Sequence, residues 1–495
     1  MKNLTYDKVQ QFAAEWNFLP WIDGESRKPV EGATRPNINP ANGELLYEVS
    51  LCGQAELDQA VSAARKSFEL SGWRENRGQI RQISLKKLSD LIMEHREELA
   101  LADSRDMGKP YREALKVDVP GAADTFRFYA ELIDKMAGML PTVPPGNTAK
   151  VERVPLGVVG IIVPWNYPLE ILSWKLAPAL ATGNSVVVKP AMESPSTAIM
   201  LAQLAKKAGV PDGVINVVTG AGSSLGKQLA KHTDVDVLAF TGSTNVAKKL
   251  MCYAGESNLK RLSLEAGGKS SNLIFSDCHD LELAAEKAAF GAFYNQGEVC
   301  SANSRILVQS EVFEQFCELL AKSAQKYLPK DPMDQEAGTG ALVSEAHADE
   351  VHRAVTRALK IGECITGGNR LCINGVSTYV EPTVVAGVPL DDELHQNEIF
   401  GPLALVNSFD TEEEAITAAN STDYGLAASI WTADLRRANR VSDQLLAGTV
   451  SVNTVDALSL TTPFGGFKQS GFGRDLSVHA IENYTDYKTT WIDWS

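Results

Sequence analysis

From residue 153 onward, short runs of apolar and β-branched residues alternate with longer stretches in which apolar positions recur every three to four residues. The runs 157–163, 185–189, 214–218 and 237–240 are predicted strands, and 169–181, 195–208, 224–232 and 245–254 are predicted helices between them. Strands this apolar have no polar face to offer water, and each is followed by a helix that can carry the chain back across the sheet. A parallel sheet covered on both faces meets both conditions, an architecture of the dinucleotide-binding type.

A second block of the same kind begins near Glu265. Strands are predicted at 272–275, 304–308, 383–385, 403–409, 427–431 and 449–452, with helices at 281–295, 312–327 and 435–446. The fold class is therefore α/β in two units, each with a parallel sheet. The Pro- and Gly-rich segment 141–147 breaks the helical pattern ahead of the first unit. The tail 483–492 carries apolar and aromatic residues that a solvated terminus does not need, and the two segments together suggest a small oligomerisation arm.

At 495 residues, two or three domains are expected. A composition of 44% hydrophobic and 22% charged residues leaves little room for disorder. The net charge of −15, with no basic patch to work against it, argues against a nucleic-acid partner. The opening Met1-Lys2-Asn3-Leu4-Thr5-Tyr6-Asp7 has no apolar leader core, and no apolar run approaches the roughly 18 residues of a membrane span. A cytoplasmic protein with no membrane partner is expected. The seven cysteines have no CxxC spacing, so neither a disulfide framework nor a metal site is expected.

One cysteine stands apart. Cys300 lies in Gln296-Gly297-Glu298-Val299-Cys300-Ser301, a polar, glycine-bearing connection between a predicted helix and a predicted strand, where a nucleophile is often displayed. Upstream, Glu265 opens Glu265-Ala266-Gly267-Gly268-Lys269, so the pairing is thiol with carboxylate rather than thiol with histidine. Asn166, in Pro164-Trp165-Asn166-Tyr167-Pro168, follows a strand at the edge where open α/β sheets bind ligands. With the Cys300 N–H it offers an oxyanion hole. Gly242-Ser243-Thr244 opens a helix whose free N–H groups suit a pyrophosphate, a better candidate than the glycine run from Gly220 through Gly222 to Gly226.

These four strings, in this order and spacing, resemble the aldehyde dehydrogenase superfamily over nearly the whole chain. The resemblance implies a Rossmann-like cofactor domain (1–135 and 153–264), a catalytic domain (265–474) and an oligomerisation arm (136–152 and 475–495). It implies NAD- or NADP-dependent oxidation of an aldehyde to an acid in a homodimer or homotetramer. Cys300 would be the nucleophile, Glu265 the general base and Asn166 the oxyanion donor. Lys175 and Asp475 match positions that pass protons onward, with a structural salt bridge as the alternative. Trp165, Lys189, Gly222, Thr241, Gly242, Ser243, Glu398 and Phe400 fall on cofactor positions. Met192 stands where NAD-preferring relatives carry a glutamate. That leaves NADP open, unless Glu193 reaches the ribose instead.

The same resemblance places Tyr167, Trp174, Tyr294 and Phe464 along the aldehyde tunnel. Glu131, Glu170 and Asp456 are further candidates there for a cationic substrate. The strings at 265–269, 295–300 and 465–471 look closest to bacterial dehydrogenases of ω-amino, γ-glutamylamino and guanidino aldehydes from polyamine breakdown. The apolar loop Ala457-Leu458-Ser459-Leu460 points instead to a general aliphatic or aromatic aldehyde. A CoA-acylating enzyme is disfavoured by Glu265, and a cysteine hydrolase by the absence of His or Lys beside the thiol. A noncatalytic binding protein is disfavoured by the joint presence of Cys300, Glu265, Asn166, Lys189 and Glu398.

Overall fold

The computed structural model describes residues 16–75 and 78–495, and the opening stretch 1–7, read above as lacking a leader core, lies outside them. Five parallel strands form the centre of an eight-stranded sheet, in the spatial order Ile215–Val217, Ser185–Lys189, Val158–Ile162, Val237–Thr241 and Arg261–Glu265. Four of them are buried along their whole length, which is why they read as unbroken apolar runs. The chain runs outward from Val158–Ile162 in one direction and then restarts at Val237–Thr241 on its other side. That reversal opens a crevice at the carboxyl ends of these two strands. The segments leaving them carry Trp165 and Asn166 on one side, and Gly242 and Ser243 on the other.

The predicted helix at 224–232 is shorter in the structure. A wide turn over Gly222–Gly226 precedes a helix of only Lys227–Lys231, because the glycines at both ends of the turn favour no single helical geometry. The sequence pattern predicts no elements before residue 153, yet the structure has helices Gln54–Leu70, Gln79–Glu94, Arg96–Met107 and Val119–Leu132. The last of these packs against Pro168–Ala181, the helix that follows Asn166.

The second sheet has seven strands, all parallel except Glu363–Thr366 at one edge. Helix Leu281–Phe293, begun by an Asp280 side chain that accepts from the Leu283 N–H, leads from strand Ser271–Ile274 towards Arg305–Gln309. Cys300 sits in the connection after this helix. Near the C-terminus, Gly471–Phe472 pairs with Leu264 and Glu265 at the edge of the first sheet. The tail then forms a two-stranded antiparallel ribbon, Thr485–Asp493 against Asn147–Pro155, with Tyr487, Trp491 and Ile492 exposed. No helix among the described residues is long and apolar enough to cross a membrane.

Candidate active site

Helix Leu281–Phe293 ends in a tight turn in which Asn295, Gln296 and Gly297 all take left-handed backbone angles. Left-handed geometry is unfavourable for the first two, so side-chain bonds must hold it. Asn295 Nδ2 donates to the carbonyls of Asn166 (3.2 Å) and Glu298 (3.3 Å). Gln296 Oε1 accepts from the Gly340 N–H at 3.1 Å, and Glu298 Oε1 accepts from the Val343 N–H at 3.1 Å. The polar neighbours that marked the Cys300 connection thus face inward. Gln296 and Glu298 are fully buried and brace the loop from behind. Burial pushes the Glu298 carboxyl well above the carboxylate range.

Cys300 is half-buried at the front of this loop. Burial, together with the carboxylates of Asp456, Glu398 and Glu265, pushes its thiol up, so the resting nucleophile is protonated at neutral pH. Asn166 Nδ2 donates to the Glu298 carbonyl at 2.8 Å. This bond fixes the amide beside the cysteine loop and leaves its second N–H available.

Glu265 ends its strand with both carboxylate oxygens buried and lacking a hydrogen-bond partner. Burial and the nearby Asp475 push its carboxyl well above the usual range. Asp475 in turn pairs with Lys175 at 2.8 Å, both buried. Gly267 and Gly268, which follow Glu265, explain themselves sterically. A Cβ on Gly267 would strike the Glu398 carboxylate, and one on Gly268 would strike the Cys300 carbonyl.

A cavity of about 210 Å³ joins these parts, lined by Pro164, Trp165, Asn166, Ile171, Thr241, Gly242, Ser243, Ala266, Gly267, Cys300, Glu398 and Phe400. Trp165 and Phe400 meet edge to face at 5.3 Å and form an apolar wall. Glu398 accepts from the Gly268 N–H at 3.1 Å, and burial pushes its carboxyl up to about 7. Ser243 caps helix Thr244–Gly255, whose N-terminus faces the same crevice. Aromatic walls, a carboxylate to receive hydroxyls and a helix N-terminus for anionic oxygen fit a dinucleotide with its nicotinamide end toward Cys300.

Other cofactor candidates lie farther out. Lys189 is buried against Gly226, donates to the Pro190 carbonyl at 2.9 Å and is pushed down by burial to about 8. Gly222 stands in open space with nothing near its Cα face. Met192 lines a separate cavity of about 420 Å³, where Glu193 lies 3.4 Å from Arg35.

Of the residues expected along an aldehyde tunnel, six recur in contacts and shared electrostatics near the Cys300 loop: Tyr167, Glu170, Trp174, Tyr294, Asp456 and Phe464. Trp174 and Phe464 meet edge to face at 5.6 Å, and Asp456 accepts from Ser301 Oγ at 2.7 Å. Tyr167, Tyr294 and Glu170 share one electrostatic neighbourhood with Asp118. Glu131 is not among them. It lies on the exposed face of helix Val119–Leu132, with its carboxylate 3.9 Å from Lys86. Three members of this neighbourhood had no signal in the sequence: Lys109, Asp118 and Glu113, the last accepting from Tyr294 Oη at 3.3 Å.

Residues 27–490 match the model of the aldehyde dehydrogenase family. The chain is 45% identical over 486 residues to the NADP/NAD-dependent aldehyde dehydrogenase PuuC of Escherichia coli K12, covering 98% of this chain and 97% of that one. It is 45% identical over 476 residues to the aminoacetaldehyde dehydrogenase of Pseudomonas aeruginosa, covering 96% and 95% of the two chains. The fold superposes on the crystal structure of gamma-glutamyl-gamma-aminobutyraldehyde dehydrogenase from Burkholderia cenocepacia J2315 with a TM-score of 0.96 at 45% identity, over 99% of this chain and 100% of that one.

Proposed function

This chain belongs to the aldehyde dehydrogenase family, and on that premise we propose that Cys300, Asn166 and Glu265 carry its oxidation of an aldehyde to a carboxylic acid. The observation that carries this reading is the single cavity in which Cys300, Asn166, Glu398 and the backbone just after Glu265 converge. Cys300 loses its thiol proton to solvent and the thiolate attacks the carbonyl carbon; an S–C bond forms and the carbonyl π pair moves onto oxygen. The second N–H of Asn166 and the Cys300 N–H stabilise that oxygen, a contribution of about 3 kcal/mol per donor. NAD or NADP, when bound, supplies the hydride acceptor. Glu265 then takes a proton from the water that attacks the Cys300 thioester, which releases the acid and restores the thiol.

Trp165, Thr241, Gly242, Ser243, Glu398 and Phe400 hold the cofactor near the nucleophile, and Lys189 and the turn at Gly222 border its adenosine half. Residue 192 carries no carboxylate and Glu193 is engaged by Arg35, so NADP is accepted as well as NAD. Lys175 and Asp475 connect Glu265 to the interior. In this reading, 1–135 and 153–264 bind the cofactor and 265–474 carry the catalytic cysteine. The ribbon of Asn147–Pro155 and Thr485–Asp493 joins subunits of a cytoplasmic homodimer or homotetramer.

The substrates are nitrogen-bearing aldehydes of the ω-amino, γ-glutamylamino or guanidino kind, supported by Glu170 and Asp456 beside the aromatic walls. The test is Cys300→Ala. Aldehyde-dependent reduction of NAD(P) disappears while the protein still binds NAD(P)H in a fluorescence titration. Retained turnover would overturn the assignment.

A further inference from the structure

Behind the wall formed by Trp165 and Phe400 stands a histidine with no part in the bond-making steps. His347 lies in the first turn of helix Glu345–Ile361, where the Ser344 side chain accepts from its N–H at 3.2 Å. Its ring meets that of Trp165 edge to face at 5.5 Å and lies 6.3 Å from that of Phe400, so the three rings form one cluster. Trp165 and Phe400 line the cavity that holds Cys300, and His347 supports them from outside its lining.

His347 Nε2 donates to the Phe400 carbonyl at 2.7 Å. Burial pulls the imidazole below its ordinary value, so at neutral pH the ring carries one N–H, and a carbonyl that can only accept places that proton on Nε2. Committed as a donor, this nitrogen cannot act as a base. Phe400 takes a left-handed backbone, with φ of 58°, which a bulky residue holds only where its surroundings enforce it. Glu398 belongs to the same turn, and its carboxylate is steadied by the Gly268 N–H. Fixing the Phe400 peptide therefore fixes an aromatic ring and a carboxylate together.

His347 also touches the support of the nucleophile. Its Nε2 lies 3.7 Å from Glu298 Oε1, the buried carboxyl oxygen that braces the Cys300 loop by accepting from the Val343 N–H. The two loops meet backbone to backbone, because a Cβ on Gly297 would strike the Gly401 carbonyl. A shift of the Phe400 turn is thus passed directly to the loop that carries Cys300.

We propose that His347 is a positioning residue for hydride transfer: its Nε2–H bond to the Phe400 carbonyl holds the left-handed turn that presents Phe400 and Glu398 to the nicotinamide end of the cofactor, in register with the Cys300 loop. The inference rests on the aldehyde-oxidation reading above and adds to it a residue that acts through others.

The experiment crosses His347→Phe, which keeps a ring and loses the donor, with His347→Gln, which loses the ring and keeps a donor able to reach the same carbonyl. Two quantities are read: the Kd of NADH by fluorescence titration without aldehyde, and the first-turnover rate of NADH formation from propanal and from propanal deuterated at C1. In His347→Phe the Kd rises about 3- to 10-fold and the first-turnover rate falls about 10-fold, the size of one lost hydrogen bond, with the deuterated aldehyde slower still. In His347→Gln both quantities stay within about threefold of wild type. A His347→Phe protein with wild-type Kd and first-turnover rate overturns the inference. So does a His347→Gln protein impaired about 10-fold, whether or not His347→Phe folds, since packing of the ring would then be what matters. A wild type that binds NADH but forms none from any aldehyde overturns the oxidation reading itself.

Discussion

The two sides of Cys300 are built from different materials. The proposed cofactor side is largely main chain: the capped helix start at Ser243, the bare backbone of Gly267 and Gly268, and the left-handed turn before the cysteine. Each is made by consecutive residues, so each appears in the sequence as a contiguous string. The proposed substrate side is made of single side chains, with Lys109, Asp118, Glu170, Tyr294 and Asp456 arriving from separate elements. Chemistry that depends on backbone geometry is local in the sequence, whereas selectivity that depends on side-chain charge is assembled by packing.

The sharpest way to break this comparison is at Glu265, which both sides share. Glu265→Gln lowers steady-state turnover on the order of 10²- to 10⁴-fold, the usual worth of a general base. A first-turnover burst of reduced cofactor survives, because acylation does not need this group. Stopped-flow measurement checks this, and unchanged steady-state turnover would place the base elsewhere. The direction of the Glu265 shift adds a pH test. Its carboxyl is raised, so the ionised form that serves as base accumulates at higher pH than for an ordinary carboxylate. In the wild type kcat climbs with pH through that range, and in Glu265→Gln this limb is lost; an identical profile in the two proteins would count against the role.

A smaller effect is expected at the outer end of the cofactor side. Met192→Glu lowers kcat/KM with NADP by about 5- to 10-fold, roughly 1 kcal/mol of repulsion between partly solvated charges, while NAD is little affected. Parallel loss with both dinucleotides would show that residue 192 acts through packing instead. The smallest effect belongs to Glu131. Glu131→Gln changes kcat/KM for 3-aminopropanal by less than about twofold, because a solvated carboxylate near Lys86 contributes little field to a buried site. A tenfold loss would return Glu131 to the substrate side.

The polar residues next to Cys300 show where a string can mislead. Gln296 and Glu298 belong to the polar string that marked Cys300 as a displayed nucleophile, yet they are buried braces whose partners, Gly340 and Val343, lie more than forty residues downstream. Glu131 suggested a substrate contact by position, but it sits on the outward face of its helix. Lys109 and Asp118 form a buried ion pair that neither residue announces by its neighbours in the chain. The first 152 residues gave no predicted element, and the helix they contribute, Val119–Leu132, brings Gly121 to Glu170.

By itself, then, the sequence determined an α/β fold built on parallel strands, and it singled out the thiol, carboxylate, amide and helix start from which the proposed site is built. Periodicity and short glycine-bearing strings encode these directly, because hydrogen-bonded backbone geometry is set over a few consecutive residues. Only the tertiary structure decided which carboxylates near the nucleophile find a partner, Asp118 in Lys109, Asp456 in Ser301 and Asp475 in Lys175, while Glu265 is buried with none. That depends on partners supplied by distant elements.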